Sequence, residues 1–469
     1  MTSADIWTAL PLLLLALGSL LTLLVGALTR NDGIAHAIAI ATTLVATLCA
    51  LLSPAALSAA PLPTAFLGLS AGVLARTFTV FFCLMATGAL VFSRQYNQQR
   101  GMGGEEYPAT LLFVTFGMVA LAVSTNLLTL FLGLESMTFG FYILVAFDLQ
   151  RGASGEAGLK YLLMGALSAA FLAFGIALLY CVGGTLDITE VMRLTLIGGP
   201  VNPLALAGWG CLLIGMAFKL SLVPAHLWTP DIYQGAPAPV VAFLSGGSKA
   251  ASLLLLLMLL PRAGDAGLLR GPLWWLALFS MLVGNLAGLL QNRVRRMLAY
   301  SSIAQMGYVV LALIAGKAGG YQAGAYYALI YGVISLAAFG AIAVMERNGC
   351  GATLDDYRGR GATNPLAAAV LTLALFALAG IPPTAGFTGK FLIFASALKS
   401  GEVALAVLGI LTAAVSIYYY LRVVTKLYFT SAEGAAGGDV SFVEALVLLA
   451  ASGAIVLLGL FPSPLLDIL

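Results

Sequence analysis

The sequence predicts an all-α polytopic membrane protein of about 14 transmembrane helices, with two inverted five-helix repeats that each contain a broken helix. Three observations indicate this fold class. Hydrophobic residues make up 61% of the 469 residues and charged residues 9%, whereas a soluble protein carries about 25% charged residues. Apolar windows of about 20 residues, long enough to cross a bilayer, recur along the whole chain. Two of these windows are interrupted by prolines.

Hydropathy windows divide the chain into spans and four regions. The predicted spans are residues 6–28, 34–53, 70–93, 107–124, 126–147, 157–182, 202–223, 239–260, 272–291, 297–316, 322–345, 364–398 (broken), 402–428 and 441–461. The regions are 1–106 with helices 1–3, 107–260 with helices 4–8 (the first repeat), 261–430 with helices 9–13 (the second repeat), and 431–469 with helix 14.

Basic residues are distributed unequally between the predicted loops. Loops opposite the termini carry twelve Arg and Lys residues, and loops on the side of the termini carry five. Cytoplasmic loops are the ones enriched in Arg and Lys. We therefore expect both termini on the periplasmic side of a bacterial inner membrane.

The seventh and eighth spans each hold a lysine, and a proline-rich joint separates them. Lys219 lies near the end of the seventh span, and Lys249 lies in the eighth. A lysine at mid-membrane depth costs about 2.5–3.5 kcal/mol. Pro224 removes the hydrogen bond to the carbonyl of Leu220, which in lipid must then face protein or water. The sequence therefore predicts an ionisable amine beside free backbone oxygens; lysines that reach toward an interface are the alternative.

The twelfth span contains a second break of the same kind. Pro382 and Pro383 free the carbonyls of Leu378 and Ala379, and Lys390 follows. The two broken spans lie five spans apart, and an odd offset reverses their membrane orientation, as an inverted repeat requires. A loop between two short helices is the alternative. The residues assigned to the breaks are Pro224, Pro382, Pro383 and Gly386.

A single carboxylate, Glu135, lies in the middle of the fifth span. Burial disfavours the charged form of a carboxyl group, and a nearby ammonium group would hold it ionised. A contact between Glu135 and Lys219 that can be broken would release a proton. A static buried ion pair is the alternative.

Five further residues are candidates for proton transfer or for ordering water. Lys160 opens the sixth span and is either a transfer site or a lysine near the interface. His226 is either a relay between the lysines or a structural hydrogen-bonding residue. Tyr300 and Gln305 either order water or bond neighbouring helices, and Tyr419 either packs or serves the exit half.

Several function classes are excluded by what the sequence lacks. Its five cysteines are scattered without a Cys-x-x-Cys pair, and it has only two histidines. This composition supports neither an iron–sulfur cluster nor a structural zinc site. No P-loop is present, and no Gly-x-Gly-x-x-Gly motif follows a strand. The chain is therefore expected to hold no cofactor, and its buried amines indicate proton movement rather than Na⁺ binding.

Four segments of the chain resemble the antiporter-like membrane subunits of respiratory complex I. They are Gly133–Glu135, Phe218–Pro237, Leu298–Ile303 and Gly380–Lys390. The resemblance covers nearly the whole chain. It implies proton translocation, in which Glu135 modulates Lys219, Lys249 is the central relay and Lys390 belongs to the exit half. Many relatives carry histidine where this chain has Gln305, so a hydrated path between the halves is expected here.

The resemblance also implies a setting for the chain. It would belong to a multi-subunit, proton-translocating NADH:quinone oxidoreductase, with no redox chemistry of its own. NADH, FMN, iron–sulfur clusters and quinone would be held by partner subunits. The partners would be the antiporter-like subunit M, small membrane subunits and, indirectly, the peripheral redox arm, in a lipid bilayer and without nucleic acid.

Three other functions fit the same pattern of residues. The first is a subunit of an Mrp-type Na⁺/H⁺ antiporter. The second is a membrane subunit of a related hydrogenase or of a ferredoxin- or F420-linked complex. The third is a structural subunit that bridges its neighbours and moves no protons.

Overall fold

The computed structural model describes residues 3–53, 69, 72–196, 202–260, 267–430 and 438–469, which form a bundle of helices. The first half contains α1 (Ser3–Thr29), α2 (Asp32–Leu52), α3 (Val73–Gln99), α4 (Glu106–Ala122), α5 (Leu127–Val145), α6 (Gly152–Gly183), α7 (Ile188–Leu196), α8 (Pro203–Lys219), α9 (Trp228–Gly235), α10 (Ala238–Phe243) and α11 (Lys249–Leu259). The second half contains α12 (Gly267–Leu289), α13 (Val294–Ala315), α14 (Gly320–Arg347), α15 (Arg360–Thr363), α16 (Pro365–Ala379), α17 (Ala385–Lys399), α18 (Val403–Phe429), α19 (Phe442–Leu460) and α20 (Ser463–Leu466). Residues 70 and 71, which open the third predicted span, lie outside the described residues.

The helices confirm a polytopic, all-helical membrane protein. Within the described ranges, eleven helical stretches are long and apolar enough to cross a membrane. Three more predicted spans contain the shorter apolar helices α4, α8 and α16, which have 17, 17 and 15 residues. Each predicted span therefore coincides with helix, and the observed ends differ from the predicted ones by a few residues.

Two helical features were not predicted from hydropathy. Helix α7 is short and amphipathic, carries an exposed Arg193–Glu190 ion pair, and connects α6 to α8. The eighth span is composite, because a π-helical turn at Leu244–Ser248 joins α10 to α11. Both features are local, and neither changes the order of the spans.

The centre of the bundle is formed by three helical stretches. In their most apolar 18-residue windows, Ala238–Leu259 is 100% buried, Gly320–Arg347 94% and Val294–Ala318 89%. The corresponding fractions for the N-terminal helix and for α19 are 28% and 22%. Lys249 begins α11 in the most buried stretch, so it lies far from any surface that lipid could contact.

Both predicted breaks are present. Helix α8 ends at Lys219, and the chain turns through Ser221, which has a positive φ of 61°, before α9 begins. Helix α16 ends at Ala379, Gly380 follows with φ of 83°, and α17 begins at Ala385. A Cβ atom on Gly386 would lie 1.9 Å from the carbonyl oxygen of Ala377, so only glycine lets α17 approach the end of α16 this closely.

Two adjacent arginines on α13 hold the segment that follows the first break. Arg295 donates to the carbonyl oxygens of Ala236 and Gln234 at 2.7 and 2.8 Å, and its Nε lies 3.2 Å from the carboxylate of Glu346 on α14. Arg296 bonds Asp231 on α9 at 2.7 Å. The broken part of the first predicted repeat is therefore anchored to α13 and α14 of the second predicted repeat.

Candidate functional site

Glu135, Lys219 and Thr138 form a contact between α5 and the end of α8. The Lys219 amine donates to Glu135 Oε1 at 3.0 Å and to the Thr138 hydroxyl at 2.7 Å. Lys219 is buried, whereas the Glu135 side chain keeps 23% of its surface exposed. The predicted carboxylate–amine contact is thus present. The carboxylate is therefore the more exposed member of the pair.

The second amine, Lys249, occupies the first break. Its Nζ donates to the carbonyl oxygen of Leu220 at 3.3 Å. This is the carbonyl that Pro224 leaves without a helical partner. The prediction of an amine beside freed backbone oxygens is correct. The amine that bonds this oxygen is Lys249, because Lys219 is turned toward α5.

The third amine, Lys390, has the same environment in the second break. Its Nζ donates to the carbonyl oxygen of Leu378 at 2.5 Å and lies 5.2 Å from the centre of the Tyr308 ring. Pro382 is the residue that frees this carbonyl. Although α16 and α17 are both short, Lys390 bonds the end of one to the start of the other. The two short helices are thereby linked directly across the break.

All three lysines are withdrawn from the surface. Lys219 is 4% exposed, Lys249 2% and Lys390 5%. Lysines that reached toward an interface would keep their amino groups in water. The burial excludes that alternative for Lys219 and Lys249. A helix C-terminus carries a partial negative charge, so the freed carbonyls at the ends of α8 and α16 favour a nearby cation.

Gln305 links the second break to two tyrosines. Its amide nitrogen donates to the carbonyl oxygen of Leu378 at 3.2 Å and to the hydroxyl of Tyr420 at 3.3 Å. Its amide oxygen accepts a hydrogen bond from the hydroxyl of Tyr327 at 2.6 Å. Lys390 and Gln305 therefore share one acceptor. A neutral amide can hold this oxygen and the two hydroxyls together without itself becoming charged.

Tyr419 belongs to a neighbouring set of hydrogen bonds. Its hydroxyl donates to Asn285 at 3.1 Å, and the Asn285 amide donates to the Tyr308 hydroxyl at 2.9 Å. Because Tyr308 also lies beside Lys390, Tyr419 is connected to that lysine through two side chains. The next residue, Tyr420, has the more direct link, because it bonds Gln305 and also Ser301.

Three predicted residues lie apart from these contacts. The Lys160 side chain is 44% exposed, and its amine bonds Glu156 at 2.7 Å and Asp231 at 2.8 Å. His226 lies in the turn before α9, 9% exposed, and its Nδ1 has no hydrogen-bond partner among the described residues. Tyr300 is only partly buried on α13.

Sequence reasoning missed three residues of the site: Thr138, Tyr327 and Tyr420. Thr138 follows Glu135 by three positions, so both side chains lie on one face of α5, and that spacing could have indicated it. Tyr420 follows the predicted Tyr419 directly, but helical phase alone does not decide which tyrosine faces α13. Tyr327 comes from α14, and no sequence signal connects it with Gln305.

Among the residues that the structure describes, no group of three His, Cys, Asp or Glu side chains could hold a metal ion. The arrangement consists instead of amines, carbonyl oxygens, hydroxyls and one carboxylate. Such groups can bind protons and pass them to water.

The comparison with known protein families decides the classification. Residues 124–416 match the family described as NADH:quinone oxidoreductase/Mrp antiporter, transmembrane. The chain belongs to this family. The match contains Glu135, the three buried lysines and Gln305, whereas Tyr419 lies just beyond it.

Relatives and solved structures of the family agree along the whole chain. NADH-quinone oxidoreductase subunit N of Geotalea uraniireducens is 55% identical over 100% of this chain and 99% of its own length. A chain of respiratory complex I from Thermus thermophilus has a TM-score of 0.84 and 33% identity, covering 97% of this chain and 98% of that one. The resemblance to the complex I members of the family, and to subunit N among them, is thereby confirmed.

The antiporter branch of the family shares the fold. A chain of the Mrp complex from a Dietzia species has a TM-score of 0.87, covering 100% of this chain and 96% of that one. Its sequence identity is 20%, so this likeness concerns the fold alone.

Proposed function

We propose that this family member is a proton-translocating membrane subunit of a bacterial NADH:quinone oxidoreductase. One observation carries the proposal. Within the described residues, each of the two proline breaks presents a freed carbonyl oxygen to a buried lysine amine, at 3.3 Å for Lys249 and 2.5 Å for Lys390. A neutral acceptor can hold an amine in either protonation state. Such an amine can gain a proton and lose it again.

The entry half depends on the Glu135–Lys219 pair. While the carboxylate lies 3.0 Å from the amine, it stabilises the charged form of Lys219. When the carboxylate moves away, the buried ammonium loses its counter-charge, and its N–H bond breaks as the proton passes to a water or to the next amine. The pair therefore serves as the control point, and Lys249 is the first acceptor along the path.

The path from Lys249 to Lys390 would run along α13. On one side of α13, the Tyr331 hydroxyl donates to Ser302 at 2.7 Å. On the other side, the Gln305 amide donates to the Tyr420 hydroxyl and to the carbonyl oxygen of Leu378, which also accepts from Lys390. Hydroxyl and amide groups of this kind order water molecules, which carry the proton. Gln305 contributes to this path by orienting the hydroxyl groups of Tyr420 and Tyr327.

The remaining candidates have supporting roles. Lys160 would supply protons at the surface, because its amine is half exposed and bonded to two carboxylates. His226 would bind water in the first break through its unpaired Nδ1. Tyr419 would support the proton exit near Lys390 through Asn285 and Tyr308. Tyr300 would lie where the proton path reaches α13.

The architecture that fits this function has 14 spans. Its regions are 1–106, 107–260, 261–430 and 431–469, and both termini are periplasmic. The matched environments of Lys249 and Lys390 support the two inverted repeats. The eleven long helical stretches and three shorter apolar helices support the count.

Redox chemistry would belong to the partners. NADH, FMN, iron–sulfur clusters and quinone would be bound in other subunits, and this chain would receive the driving force through the membrane arm. A relative named as subunit N of NADH-quinone oxidoreductase supports a multi-subunit assembly. The neighbours of this chain would include subunit M and small membrane subunits.

The decisive experiment measures proton pumping by the complete complex in inverted membrane vesicles. Lys219→Ala and Lys390→Ala should abolish most NADH-driven acidification while the complex still assembles. Lys317→Ala is the matched control, because Lys317 is exposed in the turn after α13. Normal pumping by both variants would indicate a structural subunit. Na⁺-dependent proton exchange without NADH, lost in Lys219→Ala, would indicate an antiporter.

A further inference from the structure

A groove lies on the outer side of the bundle, away from the buried lysines. It runs between α2 and α3, is closed at one end by the beginning of α19, and has a volume of about 370 Å³. This is large enough to hold part of a small molecule or a chain segment.

One end of the groove is polar. Arg94 is exposed there, and no hydrogen bond or ion pair joins it to another described side chain. His36 is 3% exposed, its Nδ1 donates to the carbonyl oxygen of Asp32 at 2.9 Å, and its Nε2 has no partner among the described residues. Gln95 also lines this end and accepts a hydrogen bond from Arg347 through its amide oxygen. The groove therefore offers one cation and an unused buried nitrogen.

The other end of the groove is apolar. Ile40 and Leu44 follow His36 by one and two turns along α2, and Val91 precedes Arg94 by about one turn along α3. Because α2 begins at Asp32 and α3 ends at Gln99, His36 and Arg94 are near the helix ends. The polar end therefore lies at the membrane boundary, and the apolar end points about 12 Å into the bilayer.

This order of groups matches an amphiphile with a negative headgroup. A free phosphate would leave the apolar wall uncovered, and a neutral lipid would leave Arg94 without a counter-charge. Glu444 at the start of α19 does not neutralise Arg94, because it is bonded to Arg347. Asp32 lies at the same helix end and weakens the positive charge without removing it. Basic pockets between helices at a membrane boundary bind anionic phospholipid headgroups.

We propose that this groove binds an anionic phospholipid, with its phosphate at Arg94 and the upper part of one acyl chain along Ile40 and Leu44. The bound lipid occupies the groove and holds α2 against α3. This site does not depend on proton transfer by the lysines.

The test uses the whole complex and two photoactivatable probes. The complex is reconstituted in phosphatidylcholine vesicles with phosphatidylglycerol carrying a diazirine in its acyl chain, or with the same diazirine on phosphatidylcholine. After illumination, labelled peptides are identified by mass spectrometry. We expect the anionic probe to label residues 40–44 and 91 in preference to the neutral probe.

Two variants locate the site and one serves as a control. Arg94→Gln should reduce anionic labelling about fivefold, the effect of one basic residue near an anionic lipid. Ile40→Trp should remove labelling by filling the groove while Arg94 remains. Arg293→Gln, at another exposed arginine that immediately precedes α13, should leave labelling unchanged. Equal labelling by both probes, unchanged labelling in both groove variants, or cross-linking of these positions to another polypeptide would overturn the proposal.

Discussion

At the scale of single residues, the two proline breaks act by releasing a specific oxygen atom. In each case the residue four positions before a proline gives its carbonyl to a lysine from elsewhere in the fold: Leu220 to Lys249, and Leu378 to Lys390. Proline thus creates the acceptor, and burial makes the lysine use it. The chemistry of the site follows from these pairs more than from any one residue.

Glu135→Gln tests the counter-charge of Lys219. We expect proton pumping to fall at least about tenfold, which corresponds to about 1.4 kcal/mol, because the buried amine keeps only neutral partners. The rate of NADH-driven acidification of inverted vesicles measures this proton pumping. Glu190→Gln is the control, since Glu190 is a half-exposed carboxylate on α7 that pairs with Arg193 and contacts none of the lysines. Undiminished pumping by Glu135→Gln would show that the ion pair is static.

The chemical state of single residues was predictable from the sequence where covalent geometry determines it. The freed carbonyls of Leu220 and Leu378 follow directly from proline, and the burial of the lysines follows from hydropathy. The partner of each group was not predictable. Whether Lys219 or Lys249 bonds Leu220, or Tyr419 or Tyr420 bonds Gln305, depends on how helices far apart in sequence rotate against each other.

At the scale of elements, the short helix α9 is held from two sides. Arg296 of α13 and Lys160 of α6 both bond Asp231, while Arg295 bonds the carbonyl oxygens beyond its end. These contacts replace the helical hydrogen bonds that the break removes. Periodicity could not reveal them, because the arginines were assigned to a loop by their charge.

Arg295→Met should destabilise the subunit by about 1–3 kcal/mol for each of the two carbonyl oxygens that lose their donor. The Glu346 carboxylate loses its closest cation and keeps Arg100, at 3.5 Å, and the Tyr96 hydroxyl. A lower unfolding temperature of the subunit in the purified complex would show this. Arg293→Met, at an exposed position two residues before Arg295, should leave that temperature unchanged. The double variant Arg295→Met/Glu346→Leu should recover part of the loss. An unaltered transition in Arg295→Met would contradict the anchoring role.

At the scale of the whole molecule, the most buried helices hold Lys249 and Gln305 of the proposed proton path. Helices α10, α11, α13 and α14 form the centre, and α1, α6 and α19 lie outside them. Hydropathy predicted the order and approximate bounds of the apolar helices, because lipid and protein interior are both apolar. For the same reason it could not distinguish central from peripheral helices.

The predicted orientation can be tested with two single cysteines in a background without the native ones. Lys399→Cys and Gly152→Cys both lie at exposed ends of helices, on opposite sides if the chain crosses the membrane 14 times. With periplasmic termini, an impermeant maleimide added to spheroplasts should label position 399, and position 152 should react only after lysis. The reverse pattern would invert the orientation, and labelling of both in intact spheroplasts would refute the span count.

The hydroxyl of Thr138 has a consequence for how the entry half can move. It holds the Lys219 amine at 2.7 Å independently of the carboxylate. The amine therefore stays in position when the Glu135 side chain moves away from it. The group that moves is this carboxylate on α5. A neighbouring protein that bound this carboxylate and moved it away from Lys219 would cause the lysine to lose its proton without changing its position.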